Sequence, residues 1–367
     1  MWTNNVNGAL SGRLIKDMLD AGCISGADEK NIRPSSLDLS LSDEIYKVEG
    51  VFQPRHKESV RDVLSLIKKK KHDLSKPLEK GVMYIARLNE KFSLPGPVYG
   101  FCNPKSTTGR LDLHVRTIAD GVSRYDSLTP AGWSGELWVS IVSKTFHIKI
   151  DKNQLLNQAR FFNADTKLSD LEIELFHAKR PLLWKPEGKK IPWRDIKISD
   201  KDNSLILTLD CEGANIGWRA RSSSRELDMN SFGGYRASDF FSPLKKKNDF
   251  VYLRKNEFYI LSTFESVRVP PQLACEMVPM DEKSGEFRAH YAGFIDPGWG
   301  WGKKGEGKGK PLTLELRPFE DLVVRPFQPI AKVRFERIVG GGEQSYDGID
   351  SSYLKQSGPR LAKQFKT

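Results

Sequence analysis

"MYIARLNEKFSLPGPVYGFCNP", residues 83–104, and "FYILSTFESVRVPPQLACEMVP", residues 258–279, are two versions of one pattern. Each opens on an apolar strand, turns around a phenylalanine and reaches a proline (Pro95, Pro270). A second proline follows nine residues later (Pro104, Pro279). Each is then followed by a histidine (His114, His290) and by Gly-Trp (Gly132-Trp133, Gly298-Trp299). A pattern that recurs this way predicts two copies of one structural unit in a single chain. Short apolar strands separated by Pro, Gly, Asn and Asp make that unit mainly β, a sandwich or barrel with a few short helices.

"ALSGRLIKDMLDA" (9–21) has apolar residues at helical spacing and a glycine stop at Gly22. "SVRDVLSLIKKKKHD" (59–73) predicts a second helix, and "SSLDLSLSDEIYKV" (35–48) alternates like a strand. Further strands are predicted at "LILTLD", "DFVYLRK", "LTLEL" and "AKVRFERI". The Pro- and Lys-rich stretch "KRPLLWKPEGKKIPW" (179–193) marks the join, giving units of residues 1–185 and 186–367.

The chain has 367 residues, 38% of them hydrophobic, enough for two domains with real cores. No apolar run reaches the length of a membrane span, and "MWTNNVNGALSGRL" lacks a secretory apolar region. The four cysteines (Cys23, Cys102, Cys211, Cys275) form no C-x-x-C pair, which suits a reduced, cytoplasmic protein and argues against structural zinc. A net charge of +11 implies an anionic partner. The lysine runs at 68–71, 245–247 and 303–310 read as solvated faces.

Two stretches carry candidate chemistry. "KSTTGRLDLHV" (105–115) offers Lys105, Ser106 and Arg110 around small residues, a turn able to present N–H groups, a hydroxyl and two cations to phosphate. The second copy reads "MDEKSGEFRAH" (280–290) there, acidic where the first is basic. In "PLTLELRPF" (311–319), Glu315 stands alone among leucines. Either it faces solvent and pairs with Arg317 or a lysine, or it is a functional carboxylate held in an apolar place.

The motifs Ser-x-x-Gly-Arg-Leu (106–111), Ala-Gly-Phe-Ile-Asp-Pro-Gly-Trp (292–299) and Leu-Glu (314–315) resemble those of the dCTP deaminase family. "IRPSSLDLSL" (32–41) resembles its early strand, and "YDGIDSSYLKQSG" (346–358) its closing C-terminal segment. The resemblance implies two tandem dUTPase-like units and hydrolytic deamination of dCTP to dUTP and ammonia, supplying dUTP for thymidylate synthesis. It implies no catalytic zinc, with Mg2+ arriving on the triphosphate. Glu315 then matches the glutamate that moves protons for an attacking water, and burial would suit it to that work by raising its pKa.

By the same resemblance, Ala292 offers a backbone carbonyl near the water or the exocyclic amine. Asp296 lies by the sugar or base. Ser106 and Arg110 contact phosphate and the catalytic water region, and Lys105 adds charge. Tyr346, Tyr353 and Gln356 come from the closing tail, where Lys355 or Arg360 would complete phosphate closure. Implied partners are dCTP and dUTP, with dTTP feedback and homo-oligomerisation both compatible, no membrane, and nucleic acid disfavoured.

The two copies depart from the simple pattern in opposite ways. The first reads "PAGWSGELWVSI" (130–141), with no aspartate before Gly132 and Ser140 where the glutamate belongs. The second keeps aspartate and glutamate but loses the Ser-x-x-Gly-Arg cluster. Each copy keeps what the other lacks, which predicts a composite site. Rival readings are a dUTPase, or a bifunctional enzyme making dUMP, and more remotely a basic nucleic-acid binder without activity. "GWGWGKK" does not open a helix after a strand, so it is not a dinucleotide motif. "HKE" (56–58) has no Pro-Cys-x-x-Cys partner, which sets aside a zinc deaminase. The histidines and tryptophans of the repeat read as packing residues.

Overall fold

The computed structural model describes residues 7–213, 215–280, 293–341 and 358–366. It divides into two compact units: residues 1–165 with 222–235, and residues 166–221 with 236–367.

In the first unit, α1 (Gly12–Asp20) buries Ile15 and Met18, and just beyond its end Gly22 has φ +75°, the left-handed stop that glycine allows. Then come β1 (Ser36–Val48), α2 (Val60–Leu66), β2 (Met83–Ser93), β3 (Tyr99–Pro104) and α3 (Ser106–Gly109). The remaining strands are β4 (Leu113–Ala119), β5 (Ser127–Leu128), β6 (Ser134–Ser143) and β7 (Leu155–Phe162). The first half of β1 pairs antiparallel with β7 and its second half with β2. That long strand therefore serves two neighbours. Strand β6 lies between β2 and β4, and β3 between β7 and β5.

Helix α2 is shorter than its sequence predicts. A reciprocal cap between Ser59 and Asp62 starts it. The lysines at 69–71 leave the helix and pair with Tyr46–Val48 as an edge strand, where all three side chains reach water. Beneath, Val48, Val60, Leu64, Ile85, Ile118 and Trp138 form one buried cluster.

The second unit contains α4 (Asp170–Lys179), β8 (Leu205–Thr208), β9 (Gly217–Ala220), β10 (Phe241–Leu244) and β11 (Tyr259–Val267). It continues with β12 (Leu273–Val278), β13 (Phe294–Ile295), β14 (Lys310–Leu316) and β15 (Pro329–Val339). Its boundary falls at 165/166, ahead of the Pro- and Lys-rich stretch. The reason is α4, a helix not predicted from the sequence. Ile173 of α4 joins Leu168, Leu182 and Leu183 in the second unit's core, and Glu172 pairs with Arg337 on β15. The excursion of residues 222–235 belongs to the first unit, because Glu226–Asp228 pairs in parallel with His147–Lys149 and the Asn230 amide donates to Asp151 at 2.7 Å.

The duplication is visible in strand register. In the first unit Ile85 faces Ser140, Gly100 faces Leu128 and Phe161, and Leu39 faces Asn157. In the second Ile260 faces Glu315, Cys275 faces Ile295 and Phe335, and Leu207 faces Ala331. Matching hydrogen bonds close the hairpins: Leu94 N–H to Trp133 O at 2.9 Å, Val269 N–H to Trp299 O at 2.8 Å. Both tryptophans are buried.

Each unit also repeats a carboxylate that nothing in the sequence singles out, fully buried in the first unit and half-buried in the second. Glu90 accepts the Ser40 N–H at 3.0 Å and its hydroxyl at 2.7 Å. Glu265, its counterpart on β11, accepts the Thr208 N–H and hydroxyl, both at 2.7 Å. Burial pushes Glu90 up to about 7, outweighing the bonds from Ser40, and burial raises Glu265 as well. A carboxyl raised in this way binds a proton in the folded state that the unfolded chain has already released. Its stabilisation is complete below about pH 4.5 and is lost as pH rises toward about 7. Melting curves between about pH 5 and pH 8 should therefore show stability falling with pH, by on the order of 3 kcal/mol from Glu90 alone. Glu90→Gln should flatten that slope. Equal slopes in the two proteins would mean that Glu90 stays ionised.

Candidate active site

The first unit holds the predicted phosphate motif on one short element. Lys105 caps α3, Ser106 opens it exposed to solvent, and Arg110 closes it, buried. Two anchors fix the turn to β7, Lys105 N–H to Leu156 O at 2.9 Å and Thr108 hydroxyl to the same oxygen at 2.9 Å. Lys105 also has a partner that its sequence neighbourhood does not announce. Its ammonium lies 2.5 Å from Asp38, and the other oxygen of Asp38 accepts from Arg33 Nε at 2.7 Å. Asp38 itself is fully buried.

The signal for Asp38 lies in a comparison of the copies. "SLDLSL" (36–41) aligns with "SLILTL" (204–209), so Asp38 is replaced by Ile206. Register agrees, since Asp38 faces Gln158 and Ile206 faces Lys332 on equivalent strands. The second copy, which lacks the basic motif, lacks the acid that orients it too.

In the second unit Glu315 lies on β14. Leu312, Leu314 and Leu316 enter the hydrophobic core, and alternation sends Thr313 and Glu315 to the opposite face. That face is covered as well: Thr313 is 5% exposed and Glu315 4%. The solvent-face reading of Glu315 is therefore wrong, and Arg317 donates to the Asn256 carbonyl. Across the sheet, Glu315 faces Ile260, which faces Trp218 on β9, a row of three side chains on one face.

Part of the cover comes from the chain's own end. The Trp218 indole donates to Pro359 O at 3.0 Å, and Arg360 N–H reaches the Thr313 hydroxyl at 3.5 Å. Phe365 anchors this segment edge-on against Phe240 and Phe241, at 5.5 and 5.3 Å.

Asp296 sits on the turn that follows β13, where Trp299 N–H donates to its carbonyl at 3.2 Å. Because Ile295 and Leu128 are equivalent in register, Thr129 takes the place of Asp296 in the first copy. The same logic equates Ser140 with Glu315, as alignment of the two copies predicts. Ala292, His290, Tyr346, Tyr353, Lys355 and Gln356 lie outside the described residues. Among the described residues, no three His, Cys, Asp or Glu side chains cluster as metal ligands, and no helix is long and apolar enough to cross a membrane.

Two tandem β-rich units, each with the strand pairing of the other, form a duplicated dUTPase-like fold. Residues 6–165 match the family model of the 2'-deoxycytidine 5'-triphosphate deaminase N-terminal domain, and residues 169–365 that of its C-terminal domain. The chain belongs to the 2'-deoxycytidine 5'-triphosphate deaminase family. Among solved structures it is similar to 2'-deoxycytidine 5'-triphosphate deaminase from Agrobacterium tumefaciens. Sequence identity is 31%, the match covers 91% of this chain and 99% of that one, and the TM-score is 0.81. Comparison with curated proteins gave no match.

Removing the charge of Asp38 leaves two cations facing each other without their anion. Breaking a buried pair on one side is strongly destabilising, and with Lys105 and Arg33 partly exposed, Asp38→Asn should cost about 2 kcal/mol. Adding Lys105→Met should restore part of that loss in urea titrations. An Asp38→Asn protein as stable as the parent would show that the pair does no structural work.

Proposed function

We propose that this protein hydrolyses the amino group of dCTP, giving dUTP and ammonia, with Glu315 as the proton-transfer group. The observation that carries the reading is the position of Glu315. It is a carboxylate withdrawn from water on the non-core face of a strand, at the one position where the sister copy has Ser140.

In this reaction a water oxygen adds to C4 of the cytosine ring. Glu315 takes a proton from that water and delivers it to ring N3. It then moves the remaining hydroxyl proton to the amine as the C4–N bond breaks and ammonia leaves. A positioned acid–base of this kind is worth roughly 10²–10⁴-fold in rate. Arg110 and Ser106 hold phosphate and order the water region, while Lys105, kept in place by Asp38, adds charge. Ala292 supplies a carbonyl to the water or amine, Asp296 reads the sugar, and Tyr346, Tyr353 and Gln356 contribute from the tail. In this reading magnesium arrives on the triphosphate. The four cysteines are free, in keeping with a reduced, cytoplasmic setting.

Incubation with dCTP and magnesium, followed by anion-exchange separation, should yield dUTP and ammonia in equal amounts. Accumulation of dUMP would point to the bifunctional alternative, and consumption of dUTP alone to a dUTPase. Glu315→Gln should retain nucleotide binding but lose turnover by at least two orders of magnitude. Retention of a tenth of the parent rate would remove Glu315 from the chemistry.

Phosphate binding and proton transfer belong to residues of different units, so Arg110→Ala should lower activity roughly ten- to a hundred-fold, as expected for removal of a charged hydrogen bond. Co-refolding Arg110→Ala with Glu315→Gln chains tests the arrangement. Recovered activity means that two chains share a site, and no recovery means that one chain supplies both parts.

A further inference from the structure

The lysine-rich loop after the Asp-Pro-Gly hairpin is a built element. Residues 300–309 contain five glycines and three lysines, a composition that would ordinarily stay mobile. Here Gly307 N–H bonds Trp301 O at 2.7 Å and Gly309 N–H bonds Gly300 O at 3.0 Å. The Glu306 carboxylate turns back onto the chain, accepting from Lys303 N–H at 3.2 Å and Lys304 N–H at 2.7 Å.

Arg268 pins the loop from below. Its guanidinium lies 4.0 Å from the Trp301 ring and 5.8 Å from the Trp184 ring, and donates to Gly305 O at 2.5 Å. It is 6% exposed, a costly place for a cation that has no carboxylate partner among the described residues.

Trp184 belongs to a second lysine-bearing turn, 184–190, closed by Lys185 N–H to Lys189 O at 2.8 Å. The turns touch. Gly188 has φ +76°, and a methyl group on it would lie 2.9 Å from Cδ of Lys308. Lys185, Lys189 and Lys190 thus stand on one turn and Lys303, Lys304 and Lys308 on the turn that touches it, and among the described residues none is in an ion pair. Against them stand two exposed carboxylates, Glu187 and Glu306, the latter accepting two backbone N–H groups of its own loop, so the two turns keep an excess of positive charge, six lysines to two glutamates.

Holding six like charges together opposes folding. An arginine buried between two tryptophans to do so makes sense if an anion of repeating charge offsets the repulsion. We propose that these two turns form a sequence-independent binding surface for the phosphodiester backbone of nucleic acid. A lipid surface fits less well, because no exposed large hydrophobic residue stands on either turn to enter it. The surface is independent of the deaminase reading.

The test uses the full chain and a short labelled DNA duplex, with binding followed by fluorescence anisotropy across a salt series. Binding should weaken steeply with salt, and Lys303→Gln/Lys304→Gln/Lys308→Gln should flatten the slope of log K against log[salt] by roughly 0.9 for each phosphate no longer neutralised. Melting temperature should not fall in this variant, since the three side chains are exposed and neutralising them relieves like-charge repulsion. Neutralising the separate run Lys245–Lys247 should leave the slope as it was. No binding at low salt, an equal loss in both variants, or displacement of the duplex by an equimolar triphosphate would each overturn the proposal.

Discussion

A carboxyl, buried in one unit and half-buried in the other, that grips its neighbouring strand at both a backbone N–H and a hydroxyl is the interaction on which each unit's strand arrangement turns. In the first unit Glu90 holds Ser40 at the point where β1 leaves β7 and joins β2. Backbone N–H groups at such a crossing have no ladder partner and must be satisfied by a side chain. In the second unit Glu265 does the same for Thr208, the last residue of β8, beside a bulge in the β11–β14 pairing. The carboxyl is costly to bury, but removing it would orphan a donor that costs comparably. Both copies have kept it.

That shared clamp separates what is structural in the repeat from what is chemical. Glu90 and Glu265 occur in both copies, so their role belongs to the fold. Glu315 occurs in one copy with Ser140 as its counterpart, and Asp38 in one copy with Ile206 as its counterpart. Ser140 and Glu315 are equally buried, whereas Asp38 is fully buried and Ile206 only half-buried, so these positions differ in more than shape. The hydrophobic frame around them is the same in kind, with Ile85 and Ile260 facing the two sites.

Much of this is legible in the sequence. The internal repeat, the β character, the paired hairpins and the position of Glu315 follow from periodicity and from aligning the halves, because strands pair in a fixed register once the alternation is set. The boundary between the units is not legible in the same way, because α4 carries little amphipathic pattern over its ten residues, and it is assigned by the packing of Ile173 into the core and the pairing of Glu172 with Arg337. The lysines at 69–71 continue a helical pattern in sequence but pair as a strand, an override by tertiary context. Asp38 and Glu90 escape a sequence reading for another reason. Each sits in an alternating strand where a polar residue reads as solvent-facing, and only the three-dimensional crossing of strands buries both faces.

A duplicated chain can do what two identical subunits cannot. In a symmetric pair, any substitution appears on both sides of the axis at once, so a residue useful at one station and harmful at the other is excluded. Here the two equivalent positions are encoded separately, and serine at 140 is no obstacle to glutamate at 315. Position 140 is thus free of any demand that the proposed chemistry makes on its twin. The fold supplies its own internal reference for telling constraint by shape from constraint by reaction.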